Sequence, residues 1–101
     1  MPAYVYMLRC KDDSLYTGWT NDLQHRLAMH AAGKGAKYTR GRGPLTLVYT
    51  EELEDKEAAM KREYEIKQLA RAEKLVLCAK WQPKELSFYK NSDNYLLFLT
   101  F

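Results

Sequence analysis

Tyr6 and Tyr16 stand ten residues apart, on either side of a polar turn, Lys11-Asp12-Asp13-Ser14. If that turn closes a hairpin, both phenols come to one face of a sheet. Arg26 follows, with His30 one helical turn beyond it, so a guanidinium and an imidazole share a helix face. Glu63 is the fifth group. At about 100° per residue, Ala59, Glu63, Ile66 and Ala70 fall on one side of a helix, whereas Glu57 and Glu65 point elsewhere. A carboxylate aimed inward needs a metal, a cation or hydrogen bonds. An ion pair with Arg26 or Lys67 meets that need as well as a metal does. A phenol serves as a base near neutral pH only where a cation stabilises the phenolate, and Arg26 or a metal on Glu63 would supply that field. Two phenols, a guanidinium, an imidazole and an inward carboxylate are the parts for hydrolysing a phosphodiester with one divalent metal. Each has a plainer use when taken alone. The chain has eight tyrosines, which pair readily in strands; Arg26 alone would be a solvated arginine, and His30 a half-buried capping histidine.

The elements that must position these groups follow from pattern. Tyr4 to Cys10 reads as a strand and Leu15 to Trp19 as its hairpin partner. Gly18, inside the second strand, marks a bulge or a close approach to the backbone. Thr20 or Asn21 is the expected N-cap of a helix over 22–32 that Gly33 closes, with Leu23, Leu27 and His30 inward and Arg26 at the edge of that stripe. A Gly/Lys/Arg loop runs to Pro44, and Leu45 to Thr50 is a third strand. Asp55 caps a helix to about Leu69, and a second helix spans Arg71 to Trp81 before Pro83 ends it. The order ββαβαα predicts an α+β fold, a small sheet flanked by helices. Tyr95 to Phe101 is apolar apart from Thr100 and is expected to pack as an added strand or helix turn, or against a second subunit. The expected organisation is one domain over 1–81 with a tail over 82–101.

Composition sets the outer limits. A chain of 101 residues with 29% charged side chains suits one folded domain. Net charge is only +3, but its distribution is uneven: Gly33 to Pro44 holds Lys34, Lys37, Arg40 and Arg42 and no acid. Such a loop suggests a directed contact with an anion. Gly33-Lys34-Gly35 lacks a following Ser/Thr and comes after a helix, which excludes a phosphate-binding nucleotide loop. Cys10 and Cys78 have no metal-ligand spacing and suit a reducing, cytoplasmic setting. The N-terminus reads straight into a strand with no signal-peptide pattern, and the run Tyr95 to Leu99 is too short to span a bilayer, so no membrane partner is expected.

With these residues in view, the chain resembles the GIY-YIG nuclease superfamily, in particular its small single-domain bacterial branch. The resemblance rests on Tyr4-Val5-Tyr6-Met7-Leu8-Arg9-Cys10, Ser14-Leu15-Tyr16-Thr17-Gly18, Asp22-Leu23 with Arg26-Leu27 and His30, and Gly33 through Arg40. It continues through Ala59 to Leu69, with Arg62-Glu63 and Ile66-Lys67, and through Arg71 to Leu75, covering about residues 3 to 80. Tyr4 replaces the first motif's Gly and Thr17 the second motif's Ile, and no residue matches the superfamily's late Asn, although Asn91 and Asn94 lie in the tail. The resemblance implies a three-stranded antiparallel sheet flanked by helices and cleavage of DNA through one Mg²⁺ or Mn²⁺ ion. It makes Tyr6 and Tyr16 the motif tyrosines, Gly18 the glycine of close approach, Arg26 the phosphate-contacting arginine, His30 its companion and Glu63 the metal ligand. One phenol, Tyr6 in preference to Tyr16, is expected to take the proton of the attacking water. Lys34, Lys37, Tyr38 and Arg40, with Gly18, are expected to contact DNA that is branched, nicked or single-stranded, in repair or recombination. The alternatives are a non-cleaving nucleic-acid-binding module and a subunit that docks or self-associates through its apolar tail.

Overall fold

The computed structural model describes residues 1–81, 86–91 and 94–99, the last two segments as backbone only. β1 (Ala3–Arg9) carries apolar or aromatic side chains on both faces and is buried along most of its length, as a strand covered from both sides must be. It pairs antiparallel with β2 (Leu15–Thr20) across a tight turn. In that turn the Cys10 amide donates to the Ser14 carbonyl at 2.9 Å, Asp13 takes the left-handed conformation (φ 71°), and the Asp12 carboxylate accepts from the Ser14 amide. The register sets Tyr6 opposite Gly18 and Leu8 opposite Tyr16, so the two phenols are diagonal neighbours on one face.

β3 (Leu45–Leu53) pairs antiparallel with the other side of β1. Leu8 faces Leu47 but Met7 faces Tyr49, so Val48 is an extra residue, a β-bulge. The extra residue re-phases the strand. Leu45 and Leu47 join Tyr6, Leu8, Cys10, Leu27 and Ala31 in one core, while Tyr49 joins Val5, Met7, Ala59 and Ile66 in the other.

The first core is closed by α1 (Leu23–Ala31). Its N-cap is Asp22, whose carboxylate accepts from the His25 amide at 3.1 Å. The expected cap Thr20 instead accepts from the Asp22 amide, holding the cap itself. Gly33 ends the helix as expected, at φ 77°, with its amide donating to the His30 carbonyl and the Lys34 amide to that of Met29, a Schellman turn. The second core is closed by α2 (Lys56–Lys67), capped by Asp55 as expected, and by α3 (Arg71–Lys80). Arg71 donates to the Asp13 carbonyl at 2.9 Å and Trp81 to the Thr50 hydroxyl at 3.0 Å, tying α3 to the β1–β2 turn and to β3. The order ββαβαα and the antiparallel β2-β1-β3 arrangement are those expected.

Two further strands, β4 (Leu86–Asn91) and β5 (Asn94–Leu99), form a hairpin, and β5 lies parallel to β3 with Leu45 opposite Leu96, giving the order β2-β1-β3-β5-β4. The apolar end is therefore an added strand as far as Leu99. Pro83, Thr100 and Phe101 lie outside the described residues. Among the described residues no helix is long and apolar enough to cross a membrane.

Candidate active site

Tyr6 belongs to β1, which is paired on both sides, and is fully buried. Its hydroxyl shares a 2.7 Å hydrogen bond with His30 Nε2 and accepts from Arg26 Nε at 3.4 Å. α1 delivers Arg26 and His30 to this spot because they lie one turn apart on the stripe that carries Leu23 and Leu27. Tyr16, on the edge strand, is half-buried; its ring centroid is 6.2 Å from that of Tyr6 and 5.5 Å from that of His30. Its outer side stacks on Tyr38 (6.0 Å between centroids, 24° between planes), and the Arg42 guanidinium sits 4.3 Å over the Tyr38 ring while pairing with Asp12. A column of rings thus runs from the buried Tyr6 to the surface.

Missing side chains make room for this cluster. A Cβ on Gly18 would lie 2.7 Å from the Tyr6 hydroxyl oxygen, and one on Gly35 would lie 2.2 Å from His30 Nδ1. Gly18 therefore does permit a close approach, but the approaching group is the Tyr6 phenol. Gly18 is itself buried, beneath that phenol. The sequence gives no sign that Gly35 lies on the histidine, since Gly33 already explains the helix end.

Burial governs the electrostatics. It pushes the Tyr6 phenol well above the ordinary tyrosine value, against a smaller opposite pull from the Arg26 hydrogen bond, so the phenolate expected at Tyr6 is disfavoured. Burial, followed by the Arg26 charge, lowers His30 from 6.5 to about 4, so the imidazole is neutral at neutral pH. Burial also opposes the Arg26 charge, but hydrogen bonds first with Tyr6 and then with Tyr16 outweigh it and raise the guanidinium.

Glu63 sits apart from the ring cluster. Its side chain is 21% exposed, and its partner is Lys67, with Nζ 3.6 Å from Oε2, rather than Arg26. Lys67 in turn lines a groove of about 260 Å³ with Leu15, Tyr16, Thr17, Tyr38 and Lys74. Glu63 is thus linked to that groove through Lys67. Among the described residues no three His, Cys, Asp or Glu side chains gather as a metal cage. A single carboxylate completed by water is nonetheless a donor set that a hard cation such as Mg²⁺ or Mn²⁺ accepts, so the residues fit the implied ion.

In the basic loop Lys34, Lys37 and Arg40 are exposed, as is Tyr38 at 42%. Arg40 and Arg42 join Lys11, Asp12 and Gly41 around a second cleft of about 570 Å³. Thr39, between these residues, is buried and hydrogen-bonds to His30 Nδ1 at 3.0 Å. Nothing in the sequence singles it out.

The family model described as the GIY-YIG catalytic domain matches residues 2–76. The chain belongs to the GIY-YIG family. Its relatives include a UPF0213 protein of Oceanobacillus iheyensis, 64% identical over 74 residues, covering 73% of this chain and 86% of that one. Another, from Clostridium perfringens, is 56% identical over 87 residues, covering 86% and 94%. The solution NMR structure of a UPF0213 protein from Bacillus halodurans superimposes with a TM-score of 0.53 at 56% identity, covering 78% of this chain and 84% of that one. This GIY-YIG domain has a nuclease-type fold.

Proposed function

We propose that this GIY-YIG domain is a divalent-metal-dependent endonuclease that hydrolyses phosphodiester bonds in DNA. The observation that carries the proposal is the neutral Tyr6–His30 pair beside Arg26, reaching solvent through Tyr16 in a groove that also holds Lys67, the partner of Glu63. Tyr16 faces that groove and Tyr6 does not, so Tyr16 is the phenol that meets the attacking water. The water oxygen bonds to phosphorus, its proton passes to the Tyr16 oxygen, and the bond to the 3′-oxygen breaks, that oxygen taking a proton from solvent. Tyr16 can accept because its own proton passes to the Tyr6 oxygen while the Tyr6 proton moves onto His30 Nε2; the imidazolium so formed, disfavoured by burial and by Arg26, returns its proton to solvent once the bond to the 3′-oxygen has broken. Arg26 stabilises the negative charge that builds on the phosphate oxygens. A Mg²⁺ or Mn²⁺ ion held by Glu63 and water would supply Lewis-acid stabilisation of the same charge.

Lys34, Lys37, Tyr38 and Arg40 hold flanking phosphates and carry little sequence information. Selectivity for branched, nicked or single-stranded DNA, in repair or recombination, is the corresponding expectation. Residues 1–81 form the acting unit, with 82–101 appended.

The test is cleavage of branched, nicked and single-stranded DNA with Mg²⁺, Mn²⁺ or EDTA, using Glu63→Ala as control. Metal-dependent cleavage should disappear in the variant while its circular dichroism is retained. A variant that cuts as well as the parent would sink the proposal. A second reading, a non-cleaving nucleic-acid-binding module, is favoured by the Glu63–Lys67 ion pair, which gives the carboxylate a structural use. Salt-sensitive, metal-independent binding without product would select it.

A further inference from the structure

Four groups form an unbroken chain: Tyr6, His30 and Thr39, all buried, and the half-buried Ala36 carbonyl. The Tyr6 hydroxyl lies 2.7 Å from His30 Nε2, His30 Nδ1 lies 3.0 Å from the Thr39 hydroxyl oxygen, and that hydroxyl donates to the Ala36 carbonyl at 3.1 Å. None of the three side-chain-bearing residues is more than 4% exposed. Heavy-atom positions alone leave the imidazole tautomer open, but the hydrogen bonds around Thr39 favour one. The Thr39 hydroxyl donates to the Ala36 carbonyl, which also takes the Arg40 amide, and its oxygen accepts from the Ala36 amide at 3.4 Å. Toward His30 the Thr39 oxygen then accepts, and Nδ1 carries the ring proton of the neutral imidazole. Nε2 is left with its lone pair facing Tyr6, so the phenol donates to it. The Tyr6 oxygen keeps its own lone pairs for Arg26 Nε–H, as observed.

We propose that Thr39 is a positioning residue that fixes His30 as the Nδ1–H tautomer and thereby sets the direction in which the Tyr6 proton points. The opposite tautomer would aim Nε2–H at the same Tyr6 oxygen that Arg26 reaches and would turn the phenol's proton away from His30, toward Tyr16. Gly35 contributes by letting the loop lie directly on the imidazole, since any side chain there would strike Nδ1. The catalytic consequence rests on the endonuclease reading: an inward-pointing Tyr6 proton is what allows Tyr16 to take a proton from water. The tautomer itself does not depend on that reading.

The decisive experiment is long-range ¹H–¹⁵N NMR of the histidine ring nitrogens in the full chain labelled with [¹⁵N]histidine. The parent and Thr39→Ser, which keeps the hydroxyl, should show His30 with a protonated Nδ1 and an unprotonated Nε2. Thr39→Val, which keeps the shape but removes the acceptor, should move the population toward Nε2–H. An Nε2–H ring in the parent overturns the proposal, and this single spectrum decides the matter even if Thr39→Val does not fold. An unaltered Nδ1–H ring in a folded Thr39→Val overturns it as well. If the parent cleaves DNA, Thr39→Val should lower kcat about tenfold or more with KM unchanged, and Thr39→Ser should restore it. A changed tautomer with an unchanged kcat would overturn the link to chemistry, while absence of cleavage in the parent would count against the endonuclease and leave the tautomer assignment standing.

Discussion

The two faces of the sheet solve the same problem, a tyrosine with polar neighbours, in opposite ways. On the α1 face Tyr6 is wholly buried and bonded to a neutral histidine that is itself bonded to a threonine. On the α2 face Tyr49 donates at 2.5 Å to Glu51, which also takes 2.9 Å from Arg62, and these two charged side chains remain 29% and 30% exposed. Burial raises both phenols. At Tyr6 the Arg26 hydrogen bond opposes it, whereas at Tyr49 the Glu51 hydrogen bond adds to it. The comparison teaches where charge is tolerated: an ion pair persists where water reaches it, and a closed pocket holds neutral, directional hydrogen bonds with a single guanidinium at its mouth.

The sharpest way to break the contrast is to overfill one face. Gly18→Ala puts a methyl group 2.7 Å from the Tyr6 hydroxyl and should remove cleavage, with a stability loss of about 1–3 kcal/mol in urea melts. Gly41→Ala, where nothing lies within 4 Å of the added carbon, should cost only the backbone strain of its φ of 78°, about 1 kcal/mol, and spare the chemistry. Equal loss of activity in the two would show that the Tyr6 contact is not special.

Acid should separate the faces next. His30 binds a proton less readily folded, at about 4, than its ordinary 6.5, so between these values the unfolded chain carries more protons. Its contribution is complete above about pH 6.5 and is lost as pH falls to about 4, amounting to roughly 3 kcal/mol. Unfolding free energies across that window should show this slope in the parent and lose it in His30→Gln; a slope that survives in the variant belongs to other groups.

The smallest effect is expected on the other face. Arg62→Ala removes a half-exposed partner of Glu51 and should cost about 1 kcal/mol in thermal or urea melts, with kcat unchanged. A collapse in kcat would mean that the α2 face takes part in the chemistry beyond carrying Glu63.

The sequence made much of this visible, and the exceptions have physical causes. Helix and strand order followed from apolar spacing, and Asp55 stood out as a cap because no other cap-forming residue adjoins it. At the start of α1, Thr20, Asn21 and Asp22 are all cap-forming types, and only the backbone path decides that Asp22 serves. The nearness of Tyr6, Tyr16, Arg26 and His30 was legible, yet their exposure was not. Tyr6 is buried because β1 is an interior strand and Tyr16 is accessible because β2 is an edge, and strand order is a long-range property. Lys67 could be read as a partner of Glu63 from its spacing of four residues. Thr39 could not be paired with His30, because a threonine in a basic loop resembles any other solvated residue until the loop folds back onto α1.

The bulge at Val48 has a consequence for how this small protein can vary. The residues before it lie on the side of Tyr6 and His30, whereas Tyr49 lies on the side of α2. β3 behaves as two half-strands welded at one residue. A change at Leu45 or Leu47 is felt beneath Tyr6, and a change at Tyr49 is felt beneath Ala59 and Ile66 of α2. One strand of nine residues thus lets the α1 wall and the α2 wall be altered independently.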